Sequence, residues 1–299
     1  MPISAQSPSP FVIRHGERRE MRIGDWEVKP CLAGRFRLDG GAMFGVVPKT
    51  IWAKSIPADD KNRIPMVMRP LLIAGRGKAI LVDVGAGSGY EEKYETIYAF
   101  EDSENLILSL KTQGVQPEEV TDIVLTHLHF DHAAGVAAPS GDSWKLVFPN
   151  AVHHVQKAQY DHALNPNPRD RASYFRGRIE ILERENAVQF HEGDCTLYPG
   201  LDLVTAHGHT PAMQLVKVSG GDETLLYCAD LIPTSAHLPI PYIMAYDLDP
   251  VLAMEEKEPI LDQAYRDRWI LYFEHDPFVM ACYVDKENGK FVPGEYVNL

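Results

Sequence analysis

A chain of 299 residues, 45% hydrophobic and 24% charged, falls among ordinary globular proteins and is long enough to bury a large core. Its formal charge of -13, from 29 basic and 42 acidic side chains, argues against nucleic acid and anionic membrane surfaces as partners. The four cysteines, Cys31, Cys195, Cys228 and Cys282, form no CxxC pair, so neither a zinc ribbon nor a redox motif is indicated, and no apolar run reaches the roughly 18 residues of a membrane span.

Residues 1–20 are rich in Ser, Pro and charge and read as an N-terminal arm; with no basic n-region and no apolar h-region, the cytoplasm is the expected location. Residues 21–299 are expected to form a single domain. Short β-type runs follow at 26–32, 67–73 and 79–84, separated by Gly, Pro and Asp. The spacing of 102–110 (DSENLILSL) predicts a helix, with Gly114 as its stop signal. A brief strand at 123–126 leads into a histidine cluster. Further strands are expected at 145–148, 151–155, 201–206, 214–218 and 224–228, with helices near 156–163 and 250–265. Strands and helices alternate, which indicates the α/β class. The segment 165–178 (NPNPRDRASYFRGR) reads as an exposed insertion placed to act as a lid.

The chemistry concentrates in His127-Leu128-His129-Phe130-Asp131-His132. In an extended segment His127 and His129 point to the same side and can grip one ion. The adjacent Asp131 and His132 diverge, so they are better placed to reach a second ion. Further donors are needed from afar, and three stand just past predicted strands: His209 in HGHTP, Asp230 after 224–228, and His275 after the apolar run 269–273. An isolated histidine is more often hydrogen-bonded or exposed, which is the reading for His153, His154, His162 and His191. His207 lies near His209, but the His-Thr-Pro context favours the latter. His237, seven residues past Asp230, and the aromatic Phe44 are candidate substrate contacts, weighed against plain packing roles; Trp52, Phe175 and Tyr242 are weighed the same way. Cys228 reads as a buried thiol.

THLHFDH, HGHTP, CAD and FEHD stand in the order and approximate spacing of the ligand motifs of the metallo-β-lactamase superfamily, over roughly residues 21–285. VQPEEVTDIVLTH, FPNAV and LYPGLDLVTAHGHTP resemble the branch containing methyl parathion hydrolase and the N-acyl homoserine lactonases. The resemblance implies a four-layered αββα sandwich with metals at one edge. It also implies His127, His129 and His209 on one metal, Asp131, His132 and His275 on the other, and Asp230 bridging. Lactonases of that branch usually carry a Tyr three residues after the bridging Asp, where this chain has Pro233.

Two divalent ions only partly neutralised by Asp131 and Asp230 would lower the pKa of bound water to about 7 and polarise a carbonyl or phosphoryl oxygen. The expected reaction is hydrolysis of a lactone or ester by hydroxide held between the metals, with phosphotriester as a side activity and Asp131 as a secondary proton shuttle. A nitrogen-rich donor set favours zinc, with iron, manganese and cobalt as alternatives. Two rival functions share the fold. A metal-dependent oxidoreductase or dioxygenase is one; its flavin-partnered type has Glu where this chain has His129. A nuclease is the other, disfavoured by the charge. A small-molecule substrate is expected, and a homodimer by likeness to related enzymes.

Overall fold

The computed structural model describes residues 21–101 and 105–299, so the arm expected at 1–20 lies outside the described residues. The chain begins with β1 (Met21–Ile23), β2 (Trp26–Pro30) and β3 (Gly34–Asp39), then helices α1 (Gly40–Phe44) and α2 (Lys49–Trp52) and strands β4 (Arg63–Met68), β5 (Leu71–Gly75) and β6 (Lys78–Val82). Helices α3 (Glu92–Tyr98) and α4 (Leu106–Thr112) precede β7 (Asp122–Val124) and the short α5 (Phe130–Ala133). Next come β8 (Ala137–Ser140), β9 (Ser143–Leu146), β10 (Val152–Gln156), α6 (Lys157–Leu164), α7 (Arg176–Arg184) and β11 (Val188–His191). The remainder is β12 (Cys195–Tyr198), β13 (Leu201–Ala206), β14 (Met213–Gly220), β15 (Glu223–Tyr227), α8 (Pro250–Arg266), β16 (Ile270–Tyr272), β17 (Ala281–Glu287) and β18 (Lys290–Val297).

Two seven-stranded sheets result, ordered β1-β2-β5-β6-β7-β10-β11 and β12-β13-β14-β15-β16-β17-β18. Alternate side chains on a strand face opposite ways, and the first sheet uses this on both faces. Leu71, Ile73, Ile80, Val82 and Val124 pack with Leu203, Leu215, Leu225 and Tyr227 of the second sheet. Their neighbours Leu72, Leu81 and Ile123 turn outward against Leu106 and Leu110 of α4, Tyr160 of α6 and Leu182 of α7. Helix α8 packs through Leu261 and Ala264 onto the second sheet. The layers are therefore helix, sheet, sheet, helix: the four-layered αββα metallo-β-lactamase fold.

One expected strand is two. The run 67–73 breaks at Arg69-Pro70, where the proline ring removes a backbone donor. Residues before the break complete β4, which pairs only with β3 in a separate ribbon; those after it form β5 of the first sheet. A smaller core under that ribbon holds Phe36, Phe44, Trp52 and Ile64. Helix α4 starts later than the spacing suggested, because Asn105 caps it by accepting from Leu108 N at 3.0 Å. No helix among the described residues is long and apolar enough to cross a membrane.

Candidate metal centre

Strand direction gathers the site. β6 and β7 are parallel and in register, Val82 beside Val124, so the chain leaves both at one edge. Asp83 follows the first and the histidine run follows the second. In the other sheet β13 and β15 both run antiparallel to β14, and β16 lies parallel to β15 with Tyr227 beside Tyr272. The loops carrying His209, Asp230 and His275 thus leave at a common edge as well. The loop after β13 is held tight by Gly208, where a Cβ would sit 2.3 Å from the backbone nitrogen of Ala253 in α8. Helix α5 places Asp131 and His132 in its first turn, just after His129.

All seven sequence-derived donors are buried, none more than 8% exposed, and they fall into two groups. His127, His129, His209 and Asp230 form one, Asp131, His132 and His275 the other. Asp230 faces both groups with different atoms. Its Oδ2 lies 3.9 Å from His127 Nε2 and 3.4 Å from His209 Nε2, while its Oδ1 lies 3.5 Å from His132 Nε2 and 3.2 Å from His275 Nε2. Asp131 lies 3.9 Å from His132 Nε2 and 3.8 Å from His275 Nε2.

The far side of each ring tells which nitrogen is free. His275 Nδ1 donates to Val67 O at 2.8 Å, His209 Nδ1 to Asp247 Oδ1 at 2.8 Å and His132 Nδ1 to Asp83 Oδ2 at 3.0 Å. Thr126 gives its hydroxyl proton to Asp83 at 2.7 Å, so its oxygen accepts from His127 Nδ1 at 3.1 Å. Each of these four imidazoles therefore presents an unprotonated Nε2 to the centre in its neutral form. Yet His132 Nε2 and His275 Nε2 stand 3.0 Å apart, and His127 Nε2 is 3.0 Å from His129 Nδ1. Two lone pairs at that separation repel unless a cation or proton lies between them, and Asp230 Oδ1 is buried without a hydrogen bond. The donor set fits two divalent cations.

Charge supports the same reading. Burial and the neighbouring imidazoles push His127 and His129 well below the ordinary histidine value, which keeps both neutral as ligation requires. Burial also pulls on His132, but Glu274, Asp230 and Asp131 outweigh it and hold this ring well above that value. His275 is likewise raised to about 9, Asp230 overcoming the cost of burial. Cations at these atoms would take the place of the protons the carboxylates draw in.

Three further residues of the site were not singled out by the sequence. Asp83 adopts φ +60, an uncommon conformation for a non-glycine residue, and accepts from Thr126 N at 2.7 Å as well as from His132. Glu274 Oε2 lies 2.8 Å from His132 Nδ1 without forming an aligned bond, and its burial raises it to about 7. Asp247 stands behind His209 and also accepts from Met244 N at 2.8 Å. The hints are slight: Asp83 stands at the end of a predicted strand and Glu274 beside His275 in FEHD, while nothing marks Asp247.

A cavity of about 190 Å³ opens over the centre, walled by Leu38, Met66, Tyr98, Phe130, Met244 and Tyr246 with His129, Asp131, His209, Asp230 and His275 at its base. His237 and Phe44 do not line it. They lie behind its wall, stacked at 4.5 Å, with His237 Nδ1 on Thr234 Oγ1 at 2.7 Å and Nε2 on Met43 O at 2.8 Å, so both have packing roles. Burial lowers His237 to about 4. Of the other aromatic candidates, Trp52 stacks on Phe44 at 5.3 Å and Tyr242 meets it edge-on at 6.4 Å. Cys228 is a buried thiol, which burial pushes well above its ordinary value.

An αββα sandwich with His and Asp donors for two cations at one edge, below a small cavity, defines a metal-dependent hydrolase. The chain belongs to the metallo-beta-lactamase superfamily, whose sequence pattern matches residues 70–275. Among solved structures it is similar to a "probable metal-dependent hydrolase" from Staphylococcus aureus, 28% identical with a TM-score of 0.83, over 93% of this chain and 100% of that one. It also resembles AidC, described as a dizinc quorum-quenching lactonase, at 24% identity and TM-score 0.76, over 94% of this chain and 98% of that one. The N-acyl homoserine lactonase AiiA of Bacillus thuringiensis subsp. kurstaki is 24% identical over 76% of this chain and 82% of its own length.

Proposed function

We propose that this hydrolase acts on a lactone or carboxylic ester, with phosphotriesters as a side activity, and that His127, His129 and His209 hold one divalent cation, Asp131, His132 and His275 a second, with Asp230 shared. The split of the Asp230 oxygens between two imidazole groups is the observation that carries this reading. The nitrogen-rich donor set favours zinc. Two such ions, when bound, supply an activated water at neutral pH and a Lewis acid for the substrate oxygen.

The chain's own residues do the rest. Asp83, Asp247 and the carbonyl of Val67 hold the outer nitrogens of His132, His209 and His275, and Thr126 that of His127, which sets the direction of the free Nε2 on these four rings. Leu38, Met66, Phe130 and Met244 shield the reacting group from bulk water. Tyr98, whose hydroxyl is raised to about 12 by burial, stays a neutral O–H in the same cavity. Small carbonyl substrates suit the cavity's size, and the lactonase names of the relatives agree with this class. We take the protein to act as a single-domain cytoplasmic enzyme.

The test is to strip the protein with a chelator, reload it with zinc, manganese, iron or cobalt, and assay lactones, aryl esters and phosphotriesters side by side. Activity that returns with metal and is greatest on lactones or aryl esters is expected. Turnover that survives the chelator, or that is confined to phosphotriesters, contradicts the reading.

A further inference from the structure

The turn Arg171–Ser173 and the residues before it form one wall of the cavity, to which they contribute Arg169, Asp170, Ala172 and Ser173. This wall is fastened at both ends. Arg169 donates through Nη2 to the carbonyls of Ala245 and Asp247. Tyr174 shares a hydrogen bond of 2.9 Å with Thr210 Oγ1, and its ring centre lies 4.9 Å from that of His129. Between the fastenings sits Asp170, only 6% exposed. His162 Nε2 donates to its Oδ2 at 2.6 Å, but its Oδ1 is buried with no hydrogen-bond partner. A buried carboxyl oxygen left unpaired is costly, and one beside a substrate cavity has an obvious source of relief in a donor on the substrate.

We propose that Asp170 determines specificity: its free oxygen accepts a hydrogen bond from an O–H or N–H on the atom next to the scissile carbonyl. Asp170 stands in the wall of the same cavity of about 190 Å³ that has the donor cluster at its base, so a substrate whose carbonyl sits over the cluster would have to turn its neighbouring substituent toward that wall. Substrates bearing a donor there are selected, because an isostere without one leaves Oδ1 unpaired in the complex. His162 is a positioning residue that holds the other oxygen.

This inference rests on the hydrolase reading above, so the test uses two substrate pairs. One is α-hydroxy- and α-methyl-γ-butyrolactone; the other is the 4-nitrophenyl esters of 2-hydroxypropanoic and 2-methylpropanoic acid. Within each pair a hydroxyl replaces a methyl of similar size, and intrinsic reactivity cancels when wild type and variant are compared. In Asp170→Asn the amide oxygen can keep the bond to His162 while the NH2, a donor, turns toward the substrate. The hydroxy-to-methyl ratio of kcat/KM is expected to fall at least about tenfold from wild type to this variant, chiefly through KM. Asp170→Ala is expected to lower the ratio similarly, with metal content equal to wild type in both variants. An unchanged ratio overturns the proposal and means that a water alone satisfies Oδ1. If only the aryl esters are turned over and the ratio falls, the lactone reading fails and the role of Asp170 stands. Turnover of neither pair counts against both.

Discussion

Asp230 is the residue on which both halves of the site depend, since one oxygen faces His127 and His209 and the other faces His132 and His275. Asparagine in its place offers one acceptor and one donor and can serve only one half. Asp230→Asn is therefore expected to reduce aryl ester hydrolysis to background and to lower the retained metal, measured by elemental analysis; wild-type turnover in this variant contradicts the assignment. Asp247 acts at one remove, through His209 Nδ1. Asp247→Ala is expected to weaken metal affinity or activity by about 10–100-fold, read from competition with a chelator. The seven clustered side chains were legible in the sequence because four of them share the run 127–132 and the other three stand just past predicted strands. Asp83, Asp247 and Glu274 were not, because an anchor behind a ring has no fixed spacing from it. The packing of His237 against Phe44 was equally hidden, since position near Asp230 does not say which wall a side chain is on.

At the level of elements, the apolar runs that became β6, β7, β13, β15 and β16 were readable, and they are the strands whose ends carry the site. The β4–β5 corner was not resolved because the apolar pattern continues across Arg69-Pro70. Helix α7 was hidden by its arginines, which resemble an exposed insertion, yet Arg178 is among the largest fully enclosed side chains. Its guanidinium lies 4.4 Å from the ring centres of both Tyr90 and Trp144 and donates to Ser88 O at 2.7 Å, Ala86 O at 3.1 Å and Ala134 O at 3.3 Å. This ties α7 to the loop after β6 and to the end of α5. Arg178→Leu is expected to cost about 3 kcal/mol in urea unfolding, because buried carbonyls lose their donor. Helix α8 is fixed similarly by Lys257, whose ammonium meets the carbonyls of His237, Pro239 and Tyr242 at 3.1, 3.3 and 2.7 Å. Burial lowers this lysine to about 7. Between pH 7 and about 10.4 the unfolded chain then binds the proton more readily than the folded one, so stability rises with pH across that window. Relative to Lys257→Met, the wild type is expected to gain up to about 1.4 kcal/mol per pH unit there. A difference that stays flat from pH 7 to 9 contradicts this.

For the molecule as a whole, the α/β class and the layered sandwich followed from alternating strands and helices and from the motif order, whereas the edge strands β11, β12 and β18 did not. Edge strands bury only one face or part of it, so their apolar alternation is weak. The formal charge of -13 includes the carboxylates gathered at the site, and cations bound there would offset part of it. Cations that bind the folded chain and not the unfolded one raise the unfolding temperature, and the reloaded protein is expected to melt above the stripped one. The most direct test of the account is the number of metal ions per chain, measured by elemental mass spectrometry on wild-type protein reloaded with zinc and dialysed. Two per chain are predicted; one or none contradicts the paired site.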